Sequence, residues 1–246
     1  MVSAPRGLAA SATLLLLLGA AGCGADQQQD APEQTASAGG PTSEGRSAEG
    51  GSGPAAADTG TASSTDAVVN KQRPLEPQDY APEPLAEVEG HQLREDAAAA
   101  AEEMLAQMRA EGMPVSISSA YRSYDEQVST YQHWVDVNGQ ETADTISARP
   151  GHSEHQTGLA MDLADGTGCD LQECFADTEA AQWAAQHAHE HGFVLRFPED
   201  GQQVTGYAYE PWHYRYVGEQ RAQEFHDSAA TTLEEFYGTG PAPDYS

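Results

Sequence analysis

Two short stretches hold the side chains with the most chemistry in this chain. Pro150-Gly-His-Ser-Glu-His155-Gln-Thr-Gly-Leu-Ala-Met-Asp162-Leu carries the imidazole of His155 and the acid of Asp162. Some fifty residues later, Glu210-Pro-Trp-His213-Tyr carries another of each. Two imidazoles and one carboxylate make a three-ligand zinc site whose open fourth position can hold water. A second carboxylate beside that water is what a zinc hydrolase needs as its general base. The residue types therefore point to metal-assisted hydrolysis before any fold is considered.

The elements around these residues must bring them together. His155 and Asp162 are seven apart, and an odd spacing on one strand would send them to opposite faces. Gly158 breaks the run, so His155 can sit on a loop and fold back beside an Asp162 fixed in a buried strand, Leu159 to Ala164. An acid inside Leu-Ala-Met-Asp-Leu needs a metal or a strong donor, because burying an unpartnered carboxylate is costly. Pro211 holds Glu210 extended. Trp212 to Val217 alternates, with Trp212, Tyr214 and Tyr216 on one face and His213, Arg215 and Val217 on the other.

Elsewhere, Leu93 to Ala110 carries a helical stripe (Leu93, Ala97, Ala101, Met104, Leu105, Met108) closed by Gly112. Val115 to Tyr121 alternates as a half-buried strand. Ser123-Tyr-Asp-Glu126 is a capping box that launches a helix through Val128, Tyr131 and Val135 to Asn138-Gly139. A turn of helix at Thr142 to Ser147, a helix from Thr178 to His191, a strand from Phe193 to Phe197, and helices at Gly218 to His226 and Leu233 to Tyr237 complete the pattern. Helices and strands mix without βαβ regularity, so the fold class is α+β with a small, mainly antiparallel sheet flanked by helices.

Three segments, Ser119-Ala-Tyr-Arg122-Ser-Tyr-Asp-Glu-Gln127, the run from Pro150 to Leu163, and Glu210-Pro-Trp-His213-Tyr, together resemble the VanY-type D-alanyl-D-alanine carboxypeptidases. These are zinc peptidases of the bacterial cell wall, related in fold to the Hedgehog and VanX-like proteins. The resemblance covers roughly Leu85 to Tyr237 and implies a Hedgehog/DD-peptidase-like fold with the zinc site at the sheet. It implies one zinc held by His155, Asp162 and His213, with Glu210 as catalytic base. It also implies that Arg122 holds substrate near Ser153 and Gln127. The Arg122 fork could bind a peptide carboxylate or steady an oxyanion, and both remain open.

The amino terminus reads as an export signal over residues 1–22, with Arg6 followed by the apolar run Leu14 to Leu18, too short to span a membrane. It ends in Ala20-Ala21-Gly22-Cys23, which resembles a bacterial lipobox with Ala20 where Leu is usual. Cys23 would then be the lipidated first residue, anchoring the chain on the outer face of the cytoplasmic membrane, with ordinary cleavage and secretion as the alternative. Residues 23–75 are rich in small and polar residues and predict a disordered tether, with a reach on the order of 40 Å. Residues 76–246 form the expected catalytic domain.

With Cys23 set aside, Cys169 and Cys174 remain, and an oxidising compartment favours a small disulfide between them over metal ligation. The net charge of -28, with Lys71 the single lysine, excludes a nucleic-acid partner, which needs clustered cations. It also makes an internal Arg such as Arg122 valuable for holding an anionic substrate. His152 reads as a neighbour of the site and not a ligand. His187, His189 and His191 step around a helix end and cannot converge on one ion. The expected partner is a peptidoglycan stem peptide, cut by a monomer. L,D-carboxypeptidase, endopeptidase and non-catalytic wall-binding readings stand beside the D,D-carboxypeptidase.

Overall fold

The computed structural model describes residues 56–246. The export signal, Cys23 and the first part of the tether lie outside the described residues. A four-stranded antiparallel sheet in the order β3-β4-β6-β5 is the frame of the site. Its strands are β3 (Ser116–Ser119), β4 (Ala160–Ala164), β5 (Phe193–Leu195) and β6 (His213–Tyr216). The all-antiparallel pairing and the flanking helices are the expected α+β arrangement.

One face of the sheet is apolar and covered by helices. Helix α1 (Glu95–Ala110) buries Ala97, Ala101, Met104, Leu105 and Met108 in the same core as Ile117, Met161, Leu163 and Tyr214. Trp212 and Tyr216 pack against that core as well. The alternation in β6 thus holds: aromatics face the core, and His213 and Arg215 face the other side. Helix α4 (Glu179–His187) adds Ala180, Ala181, Trp183 and Ala184 to the core.

Several boundaries move. A hairpin, β1 (Leu85–Val88) paired with β2 (His91–Arg94), takes up the residues before α1, so that helix starts two residues later than its apolar stripe suggests. Leu93 belongs to both patterns, because a buried leucine serves a strand end as well as a helix face. The helix expected from Thr178 to His191 tightens at its end into a 3-10 turn, Ala188–His191, closed by Gly192. A Cβ on Gly192 would lie 2.7 Å from the Tyr216 ring, so the chain passes there only without a side chain.

Helix α2 (Tyr124–Asn138) begins at the capping box: the Ser123 hydroxyl accepts from the Glu126 N–H, and the Glu126 carboxylate accepts from the Ser123 N–H at 2.8 Å. Its apolar residues are not core. Gln127 is the one buried position, while Val128, Trp134 and Val137 are exposed. Helix α3 (Gln140–Ile146) follows after Gly139. The remaining helices are α5 (Gln202–Thr205), α6 (Glu219–His226) and α7 (Leu233–Tyr237).

The tether expected through residue 75 is corrected. Ala62, Val68, Val69 and Leu75 are buried, as are Asn70 and Lys71. Lys71 Nζ donates to the Gly206 and Pro243 carbonyls at 2.7 and 3.1 Å and lies over the Tyr207 and Tyr245 rings. The averaged composition of residues 23–75 concealed a short apolar run, Ala67-Val-Val69, flanked by the donors Lys71 and Arg73. That run has enough to bury, so the folded domain starts well before residue 76.

Candidate metal centre and active site

His155 lies in a 3-10 turn, Glu154–Thr157, ended by Gly158 in the left-handed region at φ 69°. A Cβ there would come within 3.0 Å of the Arg94 nitrogen, which itself donates to the Gly158 carbonyl at 2.8 Å. Glycine therefore lets the loop fold back onto β2. The His155 Nδ1 sits 2.8 Å from the Ala120 carbonyl, to which it donates in the tautomer that leaves the Nε2 lone pair free.

Asp162 and His213 are direct cross-strand partners on β4 and β6, so their side chains share a face. Asp162 Oδ2 is 3.3 Å from His155 Nε2, and Asp162 Oδ1 is 3.1 Å from His213 Nδ1. One ligand atom from each of these three buried residues lies within 4.8 Å of the others. Asp162 Oδ1 has no hydrogen-bond partner although it is fully buried. An orphaned acceptor between two imidazoles is costly unless something electropositive is placed there. Two neutral nitrogens and a carboxylate oxygen are the donor set that suits zinc. The residues therefore fit the ion that the sequence suggested.

Glu210 stands beside this cluster, its Oε2 3.6 Å from His213 Nδ1. The Glu210 N–H donates to Phe197 and its carbonyl accepts from the His213 N–H, so a short turn around Pro211 fixes both side chains. Burial pushes the Glu210 carboxyl up to about 8; Asp162 and Glu154 add to this, while His213 and Arg122 oppose it. Burial also disfavours charge on His213, but the nearby Asp162 and Glu154 carboxylates outweigh that and raise it to about 9 in the metal-free protein. Burial likewise opposes the Asp162 carboxylate, yet the two histidines hold its pKa well below the usual range.

Arg122 and these groups line a cavity of about 600 Å³. Its guanidinium donates to Gln127 Oε1 and to the Ser119 hydroxyl, both at 2.9 Å. Gln127 is fully buried and gives its amide N–H to the Ala148 carbonyl at 2.7 Å. It therefore braces Arg122 and does not line the cavity, which alters the substrate-contact role expected for it. Ser153 does line the cavity. So do Trp134 of α2, Ile146 of α3, and Leu171 to Cys174 of the loop closed by the Cys169–Cys174 disulfide.

The other described histidines stay out of the ligand cluster, although His152 lines the same cavity. His152 Nδ1 meets the Asn70 carbonyl at 2.8 Å. His187 pairs with Glu190, His189 stacks on His226, and His191 meets Gln107.

Sequence reasoning missed a second charged cluster at the same place. Glu154 Oε1 accepts from Arg196 Nε at 2.8 Å and from Arg215 Nη1 at 2.7 Å, and Arg196 also pairs with Glu234 at 2.7 Å. All four residues are essentially inaccessible. The signal was present: Arg196 interrupts the apolar run Phe193-Val-Leu-Arg-Phe197 as Asp162 interrupts its own strand. The same demand for a buried partner applied to it.

A buried His/Asp/His cluster with a free carboxylate beside it, open to a cleft above an antiparallel sheet, defines a zinc metallopeptidase. The family model described as VanY, D-alanyl-D-alanine carboxypeptidase, matches residues 90–219, and the chain belongs to that family. YodJ of Bacillus subtilis (strain 168) is 37% identical over 182 residues, which cover 70% of this chain and 66% of YodJ. The LdcB LD-carboxypeptidase superposes with a TM-score of 0.63 at 36% identity, over 71% of this chain and 85% of LdcB. The vancomycin-resistance D,D-pentapeptidase VanY, solved with Zn(II), superposes with a TM-score of 0.61 at 27% identity, over 70% and 98% of the two chains.

Proposed function

We propose that this protein removes the terminal D-alanine from peptidoglycan stem peptides by zinc-dependent hydrolysis. The observation that carries the reading is the meeting of three buried ligand atoms with Glu210 at the floor of a cavity that Arg122 also lines. His155, Asp162 and His213 would hold the ion. Bound there, zinc would supply Lewis acidity, polarising the scissile carbonyl and making water a stronger acid near neutral pH.

The remaining steps belong to the chain's own residues. Glu210, kept basic enough by burial to accept a proton near neutrality, takes it from the attacking water and returns it to the departing amine. Arg122 presents a guanidinium braced by Gln127 and Ser119, ready for the peptide carboxylate or for the developing oxyanion. It is the one arginine in a cavity lining that also carries Glu154, Asp162, Glu173 and Glu210. The retained Glu210 argues against a non-catalytic wall-binding module, which has no use for a base there.

A second reading is L,D-carboxypeptidase action on tetrapeptide stems. It is favoured by the higher identity to LdcB than to the D,D-pentapeptidase. The two share one metal site and differ in what the cavity walls accept. The proposed location is the outer face of the cytoplasmic membrane, through lipid at Cys23. Among the described residues no helix is long and apolar enough to cross a membrane.

The test pairs metal analysis of the purified protein with mass spectrometry of its digests of pentapeptide and tetrapeptide stems, with Glu210→Ala as control. Loss of one alanine from the pentapeptide alone, abolished in the variant while zinc is retained, is the expected result. Cleavage of the tetrapeptide alone would replace the substrate and keep the mechanism. A protein without zinc would overturn the proposal. Fragments for this work must start ahead of residue 59, because Thr59, Thr65, Ala67 and Val69 all accept hydrogen bonds from buried or half-buried arginines.

A further inference from the structure

Glu154 precedes a metal ligand in the chain, yet its carboxylate addresses a different one. One oxygen, Oε1, is saturated by Arg196 and Arg215. The other, Oε2, is fully buried, makes no hydrogen bond and lies 3.5 Å from His213 Nε2. His213 Nε2 is itself buried and unpartnered. Two orphaned polar atoms that face each other inside a protein are the remains of one interaction, slightly stretched. The opposite ring nitrogen, Nδ1, points to Asp162 and Glu210. To offer the Nδ1 lone pair to a cation, His213 must carry its proton on Nε2, where Glu154 waits as acceptor.

The support behind Glu154 is unusually complete. Glu154, Glu234, Arg196 and Arg215 contribute two charges of each sign, all buried. Arg215 also donates to the Thr65 and Ala67 carbonyls at 3.1 and 2.7 Å, and Asn70 donates to Glu234 at 3.0 Å. Glu154 cannot swing away without breaking its bonds to both guanidiniums. The segment once expected to be tether thus closes the network that holds it.

We propose that Glu154 is a positioning residue for His213, accepting the Nε2 proton and thereby holding the ring in the tautomer and orientation that present Nδ1 to the metal. This rests on the zinc-site reading above. The alternative is that Glu154 serves only as a counter-ion to the two arginines.

Glu154→Gln separates these roles. The glutamine carbonyl would be claimed by Arg196 and Arg215, which can only donate, so its NH2 would face His213 Nε2. That donor favours a proton on Nδ1, the wrong nitrogen for metal binding. In the full chain, zinc affinity measured by chelator competition should fall about 10- to 100-fold. With zinc saturating, kcat should recover in part and KM should change little. A folded Glu154→Gln protein with wild-type zinc affinity would overturn the proposal.

Should the variant not fold, nitrogen-15 NMR of the wild-type histidines decides the matter. An Nε2 proton on His213 protected from solvent exchange supports the role. A proton on Nδ1, or an Nε2 proton exchanging freely with water, overturns it. The NMR readout, taken on metal-free protein at a pH where the ring is neutral, also stands if the enzyme cuts neither stem peptide. Its failure is therefore distinct from failure of the proposed function.

Discussion

Two clusters of charged residues sit on the same side of β6, two residues apart, and they are built on opposite plans. Around Arg215, every buried charge has an opposite partner among two carboxylates and two guanidiniums, with backbone carbonyls beside them, and the one oxygen left without a hydrogen bond, Glu154 Oε2, is turned toward His213. Around His213, the groups are left incomplete, with Asp162 Oδ1 orphaned and Glu210 beside an open cavity. Both clusters are desolvated, and burial opposes the charge on Glu154 and Arg196 in one as it does on Glu210 and His213 in the other. What separates structure from function is saturation. A buried charge whose bonds are all made rigidifies the fold, and one whose bonds are unmade is waiting for a ligand.

The largest effect should come from the open cluster. Glu210→Gln keeps the shape and removes the proposed base, so kcat/KM should fall about 10²- to 10⁴-fold with zinc content unchanged. Metal analysis beside steady-state kinetics on the stem peptide checks it. Loss of zinc in this variant would mean that Glu210 is a ligand, and the boundary between the clusters would need redrawing.

The closed cluster should respond in stability. Arg196→Met leaves Glu154 and Glu234 short of a counter-charge, and breaking a buried pair in this way costs about 3–5 kcal/mol. Denaturant unfolding would read it. A variant as stable as wild type would show that the saturated network is not what holds this part of the fold.

Arg122 bridges the comparison, since Gln127 and Ser119 brace it while its charge serves the cavity. Arg122→Lys keeps the charge and loses the planar fork. A charge-assisted bond is worth about 1.5–3 kcal/mol, so kcat/KM should drop roughly 10- to 100-fold with stability little changed. A large stability loss with normal kinetics would place Arg122 with the closed cluster.

The smallest effect concerns protons. In the metal-free protein Asp162 and Glu154 raise His213 to about 9, so zinc must displace a proton from that ring at lower pH. Apparent zinc affinity should therefore weaken by about tenfold per pH unit as pH falls below about 9. Chelator competition across that range tests it. A flat profile would mean that the ring is already neutral when metal arrives.

The sites were legible to different depths. His155, Asp162, Glu210 and His213 stood out because rare chemistry sat in glycine- and proline-marked contexts. The alternation in β6 correctly put His213 and the aromatics on opposite faces. Cys169 and Cys174 were readable from count and spacing, and the disulfide is formed. Gln127 was read as a substrate contact, but its placement behind Arg122 depends on where α2 docks. The apolar residues of α2 marked out the helix but said nothing of its burial, and Val128 and Val137 are exposed. The stretch from Thr59 to Leu75 was invisible as structure, since its few apolar residues were diluted by the polar run before them.

The local facts of this protein were set by sequence alone: which residues could hold a metal, where chains turn, which strand faces are apolar, and how acidic the surface is. They depend on residue type and near-neighbour spacing, and those are covalent properties. Only the tertiary structure decided which charges close on one another and which stay open. That choice joins Ala67 to Arg215 and Glu154 to His213 across 148 and 59 positions of chain. No local pattern encodes such pairings, because they arise when desolvation forces every buried polar atom to find a partner or keep a place for one.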